Sequence, residues 1–365
     1  MHYKSQSVTI GGFDNIKALT LGGDSPVVIQ TMWKDRLSFS DVQDAVQRIE
    51  GLARMGCGLL RCAVPDLAAA EVLGRLAQMV SMPLAADIHF DHKIALRCMD
   101  FPIAKIRINP GNIGGREKVR AVLDRAAEKN IPIRIGVNAG SLPQDLRSRA
   151  GDTAEALVAA AERELAIFDE WGFTNVLVSM KASGIADTIK ANRILAGKTN
   201  VPLHIGVTEA GPLVAGVARS SAALVPLLVE GIGDTLRVSL SDSMENEVIA
   251  AREIVGAAAE IAMAETATRL RQNGVRVISC PRCGRYGFDT HGFCGRWLSR
   301  LYALDKRISV AIMGCEVNGP EEARHADVGI TGTGNKVLIF RHGTVVRTVP
   351  AAEADAAFAE ELERT

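Results

Sequence analysis

The sequence predicts an α/β fold, a (β/α)8 barrel of the TIM type followed by a small α+β domain. Before residue 274, short β-branched runs alternate with amphipathic helical stretches, a pattern typical of parallel strands joined by crossover helices. About eight such units match the usual length of a closed barrel. Four of the seven cysteines fall after residue 273, which marks a second domain. We expect residues 1–273 to form the barrel and residues 274–365 to form the α+β domain.

Each predicted barrel strand is a short apolar or β-branched run. In chain order these runs are Val27–Met32, Gly58–Val64, Pro83–Phe90, Ile103–Ile108, Pro132–Val137, Asn175–Met180, Pro202–Val207 and Thr235–Leu240. Stretches with helical periodicity lie between or after them, at Ser40–Met55, Leu67–Val80, Thr153–Trp171 and Met244–Asn273. An open, doubly wound sheet is the alternative, but no G-x-G-x-x-G motif follows the first strand. The closed barrel is therefore favoured.

The second domain is predicted to contain short strands and two helices. The strands are Val275–Ser279, Ser309–Met313, Ala326–Ile330, Lys336–Phe340 and Thr344–Val349. Helical patterns lie near Trp297–Leu304 and Ala351–Leu362. Because no low-complexity linker separates the domains, we expect the helix that ends near Asn273 to join them.

The composition excludes several classes of protein. The 42 Lys and Arg residues balance 42 Asp and Glu residues, so the chain lacks the positive charge of a nucleic-acid-binding or membrane-binding protein. No secretory signal pattern and no transmembrane run of apolar residues occurs. We therefore expect a cytoplasmic protein whose cysteines are reduced thiols.

Cations cluster at the carboxyl ends of the predicted strands. In a TIM-type barrel these ends and the loops that follow them form the active site. The cations are Arg61, Arg107, Arg134, Lys181 and Arg237. So many cations around one opening suit a phosphate or diphosphate group. The structural alternative is that some of them form ion pairs between barrel layers or cap helices.

Acids, amides and hydroxyl groups accompany these cations. Asp87 and Glu209 are candidates for proton transfer, and His89 is equally a candidate acid, a hydroxyl contact or an interior histidine. The amides and hydroxyl groups belong to Asn109, Asn112, Asn138, Ser179, Thr208, Ser239 and Ser241. Buried polar groups are costly unless they are paired, so their convergence indicates a polar ligand.

A second candidate site lies among the late cysteines. Cys280 and Cys283 form a C-x-x-C motif, and Cys315 follows within the same small domain. A fourth ligand such as Cys294 or His291 would complete a structural zinc site. A carboxylate would instead suit a [4Fe–4S] cluster with one exchangeable ligand. The residue types alone do not choose among Glu316, Glu321 and Glu322.

Several strings of the sequence resemble the bacterial 4-hydroxy-3-methylbut-2-en-1-yl diphosphate synthase family. They are ADIHFD from Ala86, KIRINPGNIG from Lys105, IRIGVNAGSL from Ile133, GVTEAG from Gly206, SCPRCG from Ser279 and MGCEVNGP from Met313. The resemblance extends from about Val28 to about Phe340. It implies reductive ring opening and dehydration of 2-C-methyl-D-erythritol 2,4-cyclodiphosphate, a step of isoprenoid precursor synthesis.

The resemblance also implies a cofactor and partners. A [4Fe–4S] cluster would be held by Cys280, Cys283, Cys315 and Glu322 in an iron–sulfur domain. Reduced flavodoxin or ferredoxin would supply two electrons. The family forms a head-to-tail homodimer, in which the cluster of one subunit faces the barrel mouth of the other.

The strand-end residues then acquire expected roles. Glu209 is the preferred proton source, with Asp87 and His89 nearby. The residues expected to bind the substrate are Arg61, Arg107, Asn109, Asn112, Arg134, Asn138, Lys181, Arg237 and Ser239.

The sequence departs from the family in two places. The family usually has QSMTNT after the first strand, where this chain has QTMWKD, so substrate contacts of the Thr31–Asp35 loop are not carried over. Glu321 stands where the family usually has glycine, although spacing favours Glu322 as the ligand. Cys57, Cys62, Cys98 and Cys294 match no ligand position and are interpreted as small core residues.

Two other functions are compatible with the pattern. One is a barrel enzyme related to the pterin-binding methyltransferases, acting on an anionic substrate and carrying a structural zinc domain. The other is a non-catalytic binding protein with a zinc domain.

Overall fold

The computed structural model of the chain describes residues 3–271, 274–281, 283–316 and 319–365. Asn273, where the predicted barrel domain ends, lies outside the described residues, as do Arg282, Val317 and Asn318 of the two cysteine motifs. The chain divides into two compact units. The first takes in Met1–Ala53 and Cys57–Gln272, and the second takes in Arg54–Gly56 and Asn273–Thr365.

The first unit contains the predicted barrel. Its strands, with the preceding hairpin, are β1 (Val8–Ile10), β2 (Leu19–Leu21), β3 (Val28–Met32), β4 (Leu59–Ala63), β5 (Leu84–Asp87), β6 (Lys105–Ile108), β7 (Ile133–Asn138), β8 (Val176–Lys181), β9 (His204–Ile205) and β10 (Thr235–Leu236). The eight strands β3 to β10 pair in parallel in the order β8-β7-β6-β5-β4-β3-β10-β9. A parallel bridge between Val178 and Leu203 closes the sheet, so the barrel prediction is confirmed.

Helices connect the strands and cover the outside of the barrel. They are α1 (Val42–Arg54), α2 (Leu67–Met79), α3 (His92–Cys98), α4 (Pro110–Ile113), α5 (Arg116–Glu128), α6 (Gln144–Arg149), α7 (Thr153–Glu170), α8 (Ile185–Ala196), α9 (Leu213–Val229), α10 (Met244–Ile261) and α11 (Ala264–Leu270). Short 3-10 helices occur at Phe39–Asp41 and Ala139–Ser141. Several helices begin at a side-chain cap, such as Asp152 of α7 and Ser243 of α10.

The single helix expected to end near Asn273 is broken. Ala262 and Met263 are extended, so α10 ends at Ile261 and α11 begins at Ala264. The physical reason is the anchoring of α11: the Arg269 guanidinium donates to buried Asp234 at 2.6 Å, and Val27 N–H donates to the Arg269 carbonyl. A straight continuation of α10 would not be free to make both contacts.

The β1–β2 hairpin, which the sequence analysis did not predict, closes the amino-terminal end of the barrel. Its apolar residues and the first residues of several barrel strands form one buried cluster. The cluster comprises Val8, Ile10, Ile16, Leu21, Val28, Leu59, Ala85, Ala104 and Leu177. Since the hairpin fills this end, ligands can enter from the carboxyl ends of the strands.

The second unit is a small α+β domain, as predicted. Its five-stranded sheet consists, in order, of β11 (Arg276–Ser279), β12 (Ser309–Ile312), β13 (Val328–Gly332), β14 (Lys336–Arg341) and β15 (Thr344–Pro350). The first three strands are parallel and the last two antiparallel. The helices are α12 (Thr290–Tyr302), α13 (Gly319–Glu322) and α14 (Ala354–Glu363), with a 3-10 turn at Ala351–Glu353.

Aromatic packing forms the core of this second unit. Phe293 stacks on Trp297, and Phe358 of α14 contacts both rings edge-on. Helix α12 begins earlier than predicted, because Asp289 accepts a hydrogen bond from Gly292 N–H and because Phe293 is buried in the core. Among the described residues, no helix is both long enough and apolar enough to cross a membrane.

Candidate functional site

A cavity of about 180 Å³ opens at the carboxyl ends of the barrel strands. Nine of the residues singled out in the sequence as catalytic or substrate-binding line it: Arg61, Asp87, His89, Arg107, Arg134, Asn138, Lys181, Arg237 and Ser239. Met32, Ser179 and Thr208 complete the lining. The barrel geometry therefore brings together side chains from all eight strand ends.

The cavity holds more positive than negative charge. All five predicted cations line it, whereas Asp87 is its one lining carboxylate among the residues described. Burial lowers the pKa of Arg61 to about 10, with Asp87 acting in the opposite direction and neighbouring arginines adding to the decrease. An anionic ligand would relieve this mutual repulsion.

Arg134 shows the imbalance most clearly. Its side chain on β7 is 1% exposed, and Nε and Nη1 have no hydrogen-bond partner among the described residues. Burial and then the Arg61 and Arg107 charges lower the pKa of Arg134 well below its ordinary value. A buried guanidinium without acceptors is costly, so this position fits an absent oxyanion.

Asp87 holds two of the arginines in place. Its carboxylate lies 2.9 Å from Arg107 Nη1 and 3.4 Å from Arg61 Nε. Burial alone would raise the pKa of Asp87, but Arg61 and Arg107 lower it below the ordinary value. Asp87 is therefore ionised at neutral pH and is a poor proton donor.

His89 lies beside this pair at the cavity mouth. Its Nε2 is 3.0 Å from Arg107 Nη1, so Nε2 accepts the hydrogen bond and the ring proton resides on Nδ1. Burial lowers the pKa of His89 below its ordinary value, with Asp87 acting in the opposite direction. The half-exposed ring is thus neutral at physiological pH.

Three of the predicted residues lie outside the cavity lining. Asn109 precedes α4 as its N-cap without a side-chain cap bond, and Asn112 is exposed on α4. Glu209 is exposed in the loop after β9 and has a φ of 53°. A positive φ is uncommon for a residue other than glycine, so the backbone around Glu209 is strained.

Glu247 is a buried carboxylate that the sequence analysis missed. It is 1% exposed on α10, and it accepts hydrogen bonds from Arg237 Nε and Nη2 at 3.0 and 2.9 Å. Lys34 Nζ at 2.9 Å and Thr31 Oγ1 at 2.6 Å also donate to it. A carboxylate within the apolar stripe Met244, Val248 and Ala251 was the signal that could have identified it.

This network defines the structural role of the divergent loop after β3. Lys34 Nζ also donates to the Leu240 carbonyl at 2.6 Å, so the loop is bound to the segment that follows β10. Thr31 is fully buried beneath it. Glu247 therefore links the loop to Arg237, one of the cavity cations.

The predicted cluster ligands lie where the parallel strands of the second unit end. Cys280 directly follows β11, and its N–H donates to the Ile312 carbonyl of β12 at 3.0 Å. Cys315 is buried in the loop after β12. A Cβ on Gly314 would lie 3.8 Å from Cys280 Sγ, so the loop that carries Cys315 passes close to the Cys280 thiol.

Cys283 and Glu322 are coupled electrostatically. A backbone hydrogen bond from Arg285 lowers the pKa of the exposed Cys283 thiol, and the Glu322 carboxylate acts in the opposite direction. Glu321 and Glu322 are both exposed on α13, which follows Cys315 closely. The charge of Glu322 on α13 thus acts on Cys283, which lies in the loop after β11.

The donor set fits an iron–sulfur cluster in its chemistry. Three thiols from two adjacent loops, with one nearby carboxylate, supply soft ligands and a single oxygen ligand. Among the described residues, no three His, Cys, Asp or Glu side chains converge closely enough to bind a metal ion. The Cys280 thiol instead donates to the Pro281 carbonyl at 3.2 Å, a contact that rotation of the side chain would release.

The other four cysteines differ in burial. Cys57, Cys62 and Cys98 are buried in the first unit, and burial raises the pKa of Cys57 to about 11 and those of the other two thiols to about 12. They are therefore unreactive. Cys294 is half-buried, packs partly against the core of the second unit and lies 3.4 Å from Ser279 Oγ.

Two protein-family models match the chain. The model described as GcpE TIM-barrel domain matches residues 14–252, and the model described as GcpE protein C-terminal domain matches residues 276–364. Part of the chain is also similar in structure to the dihydropteroate synthase of Yersinia pestis, with a TM-score of 0.47 and 17% identity over 70% of this chain and 99% of that chain. That likeness is too distant to carry a functional argument.

Relatives that match nearly the full length are named 4-hydroxy-3-methylbut-2-en-1-yl diphosphate synthase (flavodoxin). The relative from Treponema pallidum (strain Nichols) is 49% identical over 99% of this chain and 92% of its own length. The one from Treponema denticola is 47% identical over 98% of each chain, and the one from Geobacter sulfurreducens is 44% identical over 99% and 98%. Because both family models match and these relatives align over almost the entire chain, the protein belongs to the GcpE family.

Proposed function

We propose that the chain is an oxidoreductase that converts 2-C-methyl-D-erythritol 2,4-cyclodiphosphate to 4-hydroxy-3-methylbut-2-enyl diphosphate. A ring C–O bond breaks, one proton and two electrons enter, and water leaves. The observation that carries the proposal is the unpartnered, buried Arg134 within a cluster of five cavity cations. The relatives that share the family bear the name of this activity.

In this proposal the cavity cations grip the diphosphate group. The Nε and Nη1 groups of Arg134 can donate hydrogen bonds to phosphoryl oxygens. Asp87 orients Arg107 and Arg61 towards the cavity. Lys181, Arg237, Asn138 and Ser239 face the same space. Asn109 and Asn112 in the neighbouring loop would contact the outer part of the substrate.

The proton for the departing hydroxyl group would come from Glu209. Asp87 is unsuited to donate, since its arginine partners keep it ionised. His89 would act as a hydroxyl contact rather than an acid, because its pKa is lowered and the ring is neutral. The strained backbone at Glu209 supports a functional role for this exposed carboxyl.

The electrons would pass through a [4Fe–4S] cluster held by Cys280, Cys283, Cys315 and Glu322. When bound, such a cluster supplies electrons one at a time and offers an iron with an exchangeable ligand. Its spacing from Cys315 favours Glu322 over Glu321 as the oxygen ligand. Residues 1–273 would then bind the substrate, and residues 274–365 would hold the cluster.

Reduced flavodoxin is the proposed electron donor, as the names of the relatives indicate, and ferredoxin is the alternative. A head-to-tail homodimer would bring the cluster of one subunit to the barrel mouth of another. Exposed apolar side chains in the segments that follow the carboxyl ends of the strands support an arrangement in which another subunit covers this face: Phe39, Leu67, Phe90, Leu213 and Val214. A cytoplasmic location, where thiols stay reduced, agrees with this chemistry.

Turnover tests the proposed function. Full-length protein, reconstituted anaerobically with iron and sulfide, is mixed with the cyclic diphosphate and reduced flavodoxin, and the product is followed by phosphorus NMR. We expect the linear allylic diphosphate to appear with wild-type protein and not with the Lys181→Met variant. Absence of product from protein that contains a full cluster would contradict the proposal.

Iron analysis tests the proposed ligands. We expect wild-type protein to be brown with about four irons per chain, Cys315→Ser to lose most of the iron, and Cys294→Ser to keep it. Glu322→Gln should keep most of the iron but lose turnover, whereas Glu321→Gln should keep both. Colourless protein with stoichiometric zinc would instead indicate the structural-zinc alternative.

A further inference from the structure

His204 is a buried histidine beneath the cavity that the proposed chemistry does not use. It lies on β9, is fully buried, and is absent from the cavity lining. Its Nε2 is 3.0 Å from Lys181 Nζ, and its Nδ1 is 2.6 Å from Thr235 Oγ1 on the paired strand β10. The three side chains form one buried chain of hydrogen bonds that ends at the cavity.

The direction of these hydrogen bonds follows from the chemistry of the groups. Burial, followed by the charge of Lys181 and that of Arg134, lowers the pKa of His204 well below its ordinary value, so the ring is neutral. Burial and then the charges of Arg134 and Arg61 lower the pKa of Lys181 well below its ordinary value as well, whereas a bound anion would favour its ammonium form. In that form Lys181 can only donate, and His204 Nε2 is therefore the acceptor. The ring proton then resides on Nδ1 and is donated to Thr235 Oγ1.

Strand β9 also leaves space for the Lys181 side chain. A Cβ on Gly206 would lie 2.9 Å from Lys181 Nζ and 3.3 Å from its Cε. His204 and Gly206 are two residues apart and face the same side of the extended chain. His204 thus supports the Lys181 nitrogen, and Gly206 leaves room for that nitrogen and the adjacent Cε.

We propose that His204 is a positioning residue for substrate binding, which acts through Lys181. Its Nε2 holds the Lys181 ammonium group in the cavity before the substrate arrives, and Thr235 fixes the histidine tautomer. Lysine has a flexible stem, so a fixed acceptor reduces the ordering that binding would otherwise require. The identity of the ligand rests on the proposed function, whereas the coupling between His204 and Lys181 does not.

A set of variants distinguishes positioning from a general effect on folding. Gln at position 204 can present its amide oxygen near the location of Nε2, Asn reaches only to the location of Nδ1, and Leu has no acceptor. Titration calorimetry with the cyclic diphosphate measures Kd for the full-length variants, and turnover gives KM and kcat. Ser220→Ala is the control, because Ser220 is buried on α9 and does not line the cavity.

We expect His204→Leu and His204→Asn to raise Kd and KM about tenfold with kcat changed less than about threefold, and His204→Gln to restore most of the affinity. Ser220→Ala should bind like wild type. Equal Kd values for the Gln, Asn and Leu variants would overturn the proposal.

A double-mutant cycle tests whether His204 acts through Lys181. In a Lys181→Met background, His204→Leu should change Kd less than about twofold, because the group that it positions is gone. If the losses of binding free energy in the two single variants add up in the double variant, the proposal is contradicted. If His204→Leu does not fold, His204→Asn and His204→Gln take its place in the cycle. If wild-type protein does not bind the cyclic diphosphate, the proposed function fails. The same cycle with inorganic diphosphate as the probe then tests the positioning role separately.

Discussion

Arg134 shows at the scale of one residue why the barrel interior favours a polyanion. Its guanidinium is buried among Arg61, Arg107 and Lys181, and two of its nitrogens lack acceptors within the described part of the chain. A protein selected for stability alone would place an apolar side chain there, because an unpaired buried charge costs free energy. The residue is therefore expected to favour ligand binding at the expense of stability.

Replacing Arg134 tests this trade-off. We expect Arg134→Met to raise the Kd of the cyclic diphosphate roughly 10- to 100-fold, since charge-assisted hydrogen bonds to phosphoryl oxygens are lost. The same change should leave the Tm of the ligand-free protein unchanged or higher, because it removes an uncompensated charge. Calorimetry and thermal unfolding measure the two quantities. Arg193→Met, which breaks an exposed ion pair with Glu230, is the matched control and should not alter affinity.

Unlike Arg134, Glu247 is expected to stabilise the ligand-free protein, because its carboxylate is paired with Arg237, Thr31 and Lys34 without any ligand. Burial raises the pKa of Glu247, but Arg237 and then hydrogen bonds from Thr31 and Lys34 lower it, and the net pKa is below the ordinary value. We expect Glu247→Gln to lower the free energy of unfolding by about 3 kcal/mol at pH 7 and to weaken substrate binding through a displaced Arg237. Urea unfolding and calorimetry measure these changes.

The contribution of Glu247 to the free energy of unfolding depends on pH in a defined direction. A carboxyl group whose pKa is lowered by folding stabilises the protein above the pKa of unfolded glutamate, about 4.3, and loses this contribution as the pH falls towards the folded value. The stability difference between wild type and Glu247→Gln should therefore be constant from about pH 8 to 6 and shrink below about pH 4.5. Glu230→Gln is the exposed control. A difference that widens with acid would contradict the assignment.

At the scale of elements, the β1–β2 hairpin separates stability from function. Its apolar side chains pack against the amino-terminal ends of the barrel strands, while the cavity lies at the carboxyl ends. The two ends of a TIM-type barrel commonly divide these roles in this way. Substitutions in the hairpin should consequently change stability without changing substrate affinity.

A single truncation in the hairpin tests this separation. Ile10 is fully buried, and we expect Ile10→Ala to lower the free energy of unfolding by about 2–4 kcal/mol with KM unchanged. Thr9 on the same strand is exposed, so Thr9→Ala should stay within about 0.5 kcal/mol of wild type. Urea unfolding and steady-state kinetics measure the outcome. A raised KM without loss of stability would show that the hairpin affects the cavity.

For the molecule as a whole, local patterns could predict the architecture but not the interior network. The barrel strands are β-branched runs that alternate with helical stretches, so the sequence shows where each strand ends. Because the carboxyl ends of all the strands lie at one end of a barrel, Arg61, Arg107 and Lys181 could be assigned to one opening. The hairpin strands have three residues each, too few for periodicity to be visible. The roles of His204 and Glu247 depend on barrel register and on long-range contacts, which no local pattern contains.

Loop residues limited the prediction of the site for a different reason. Alternation along a strand fixes which side chains face the barrel interior, but it ends where the strand ends. Asn109, Asn112 and Glu209 follow their strands and lie outside the cavity lining. The placement of Cys280 and Cys315 at neighbouring strand ends could be predicted, because Cys280 directly follows β11 and Cys315 closely follows β12.

The proposed head-to-tail dimer leads to a prediction about mixed subunits. An Arg134→Met chain lacks a working barrel, and a Cys315→Ser chain lacks a working cluster. If each active site combines the barrel of one subunit with the cluster of the other, coexpression should restore about a quarter of wild-type activity. Coexpression of Cys283→Ser with Cys315→Ser is the control and should restore none. No recovery from the first pair would indicate that the proposed arrangement is wrong.

The central claim is that the excess positive charge of the barrel mouth, with Arg134 lacking hydrogen-bond acceptors among the described residues, binds a diphosphate. A crystal structure of the full chain with the cyclic diphosphate tests this most directly. We predict phosphoryl oxygens within about 3.2 Å of Arg134 Nε or Nη1 and of Lys181 Nζ. A diphosphate bound elsewhere, with the Arg134 guanidinium still lacking acceptors, would contradict the claim.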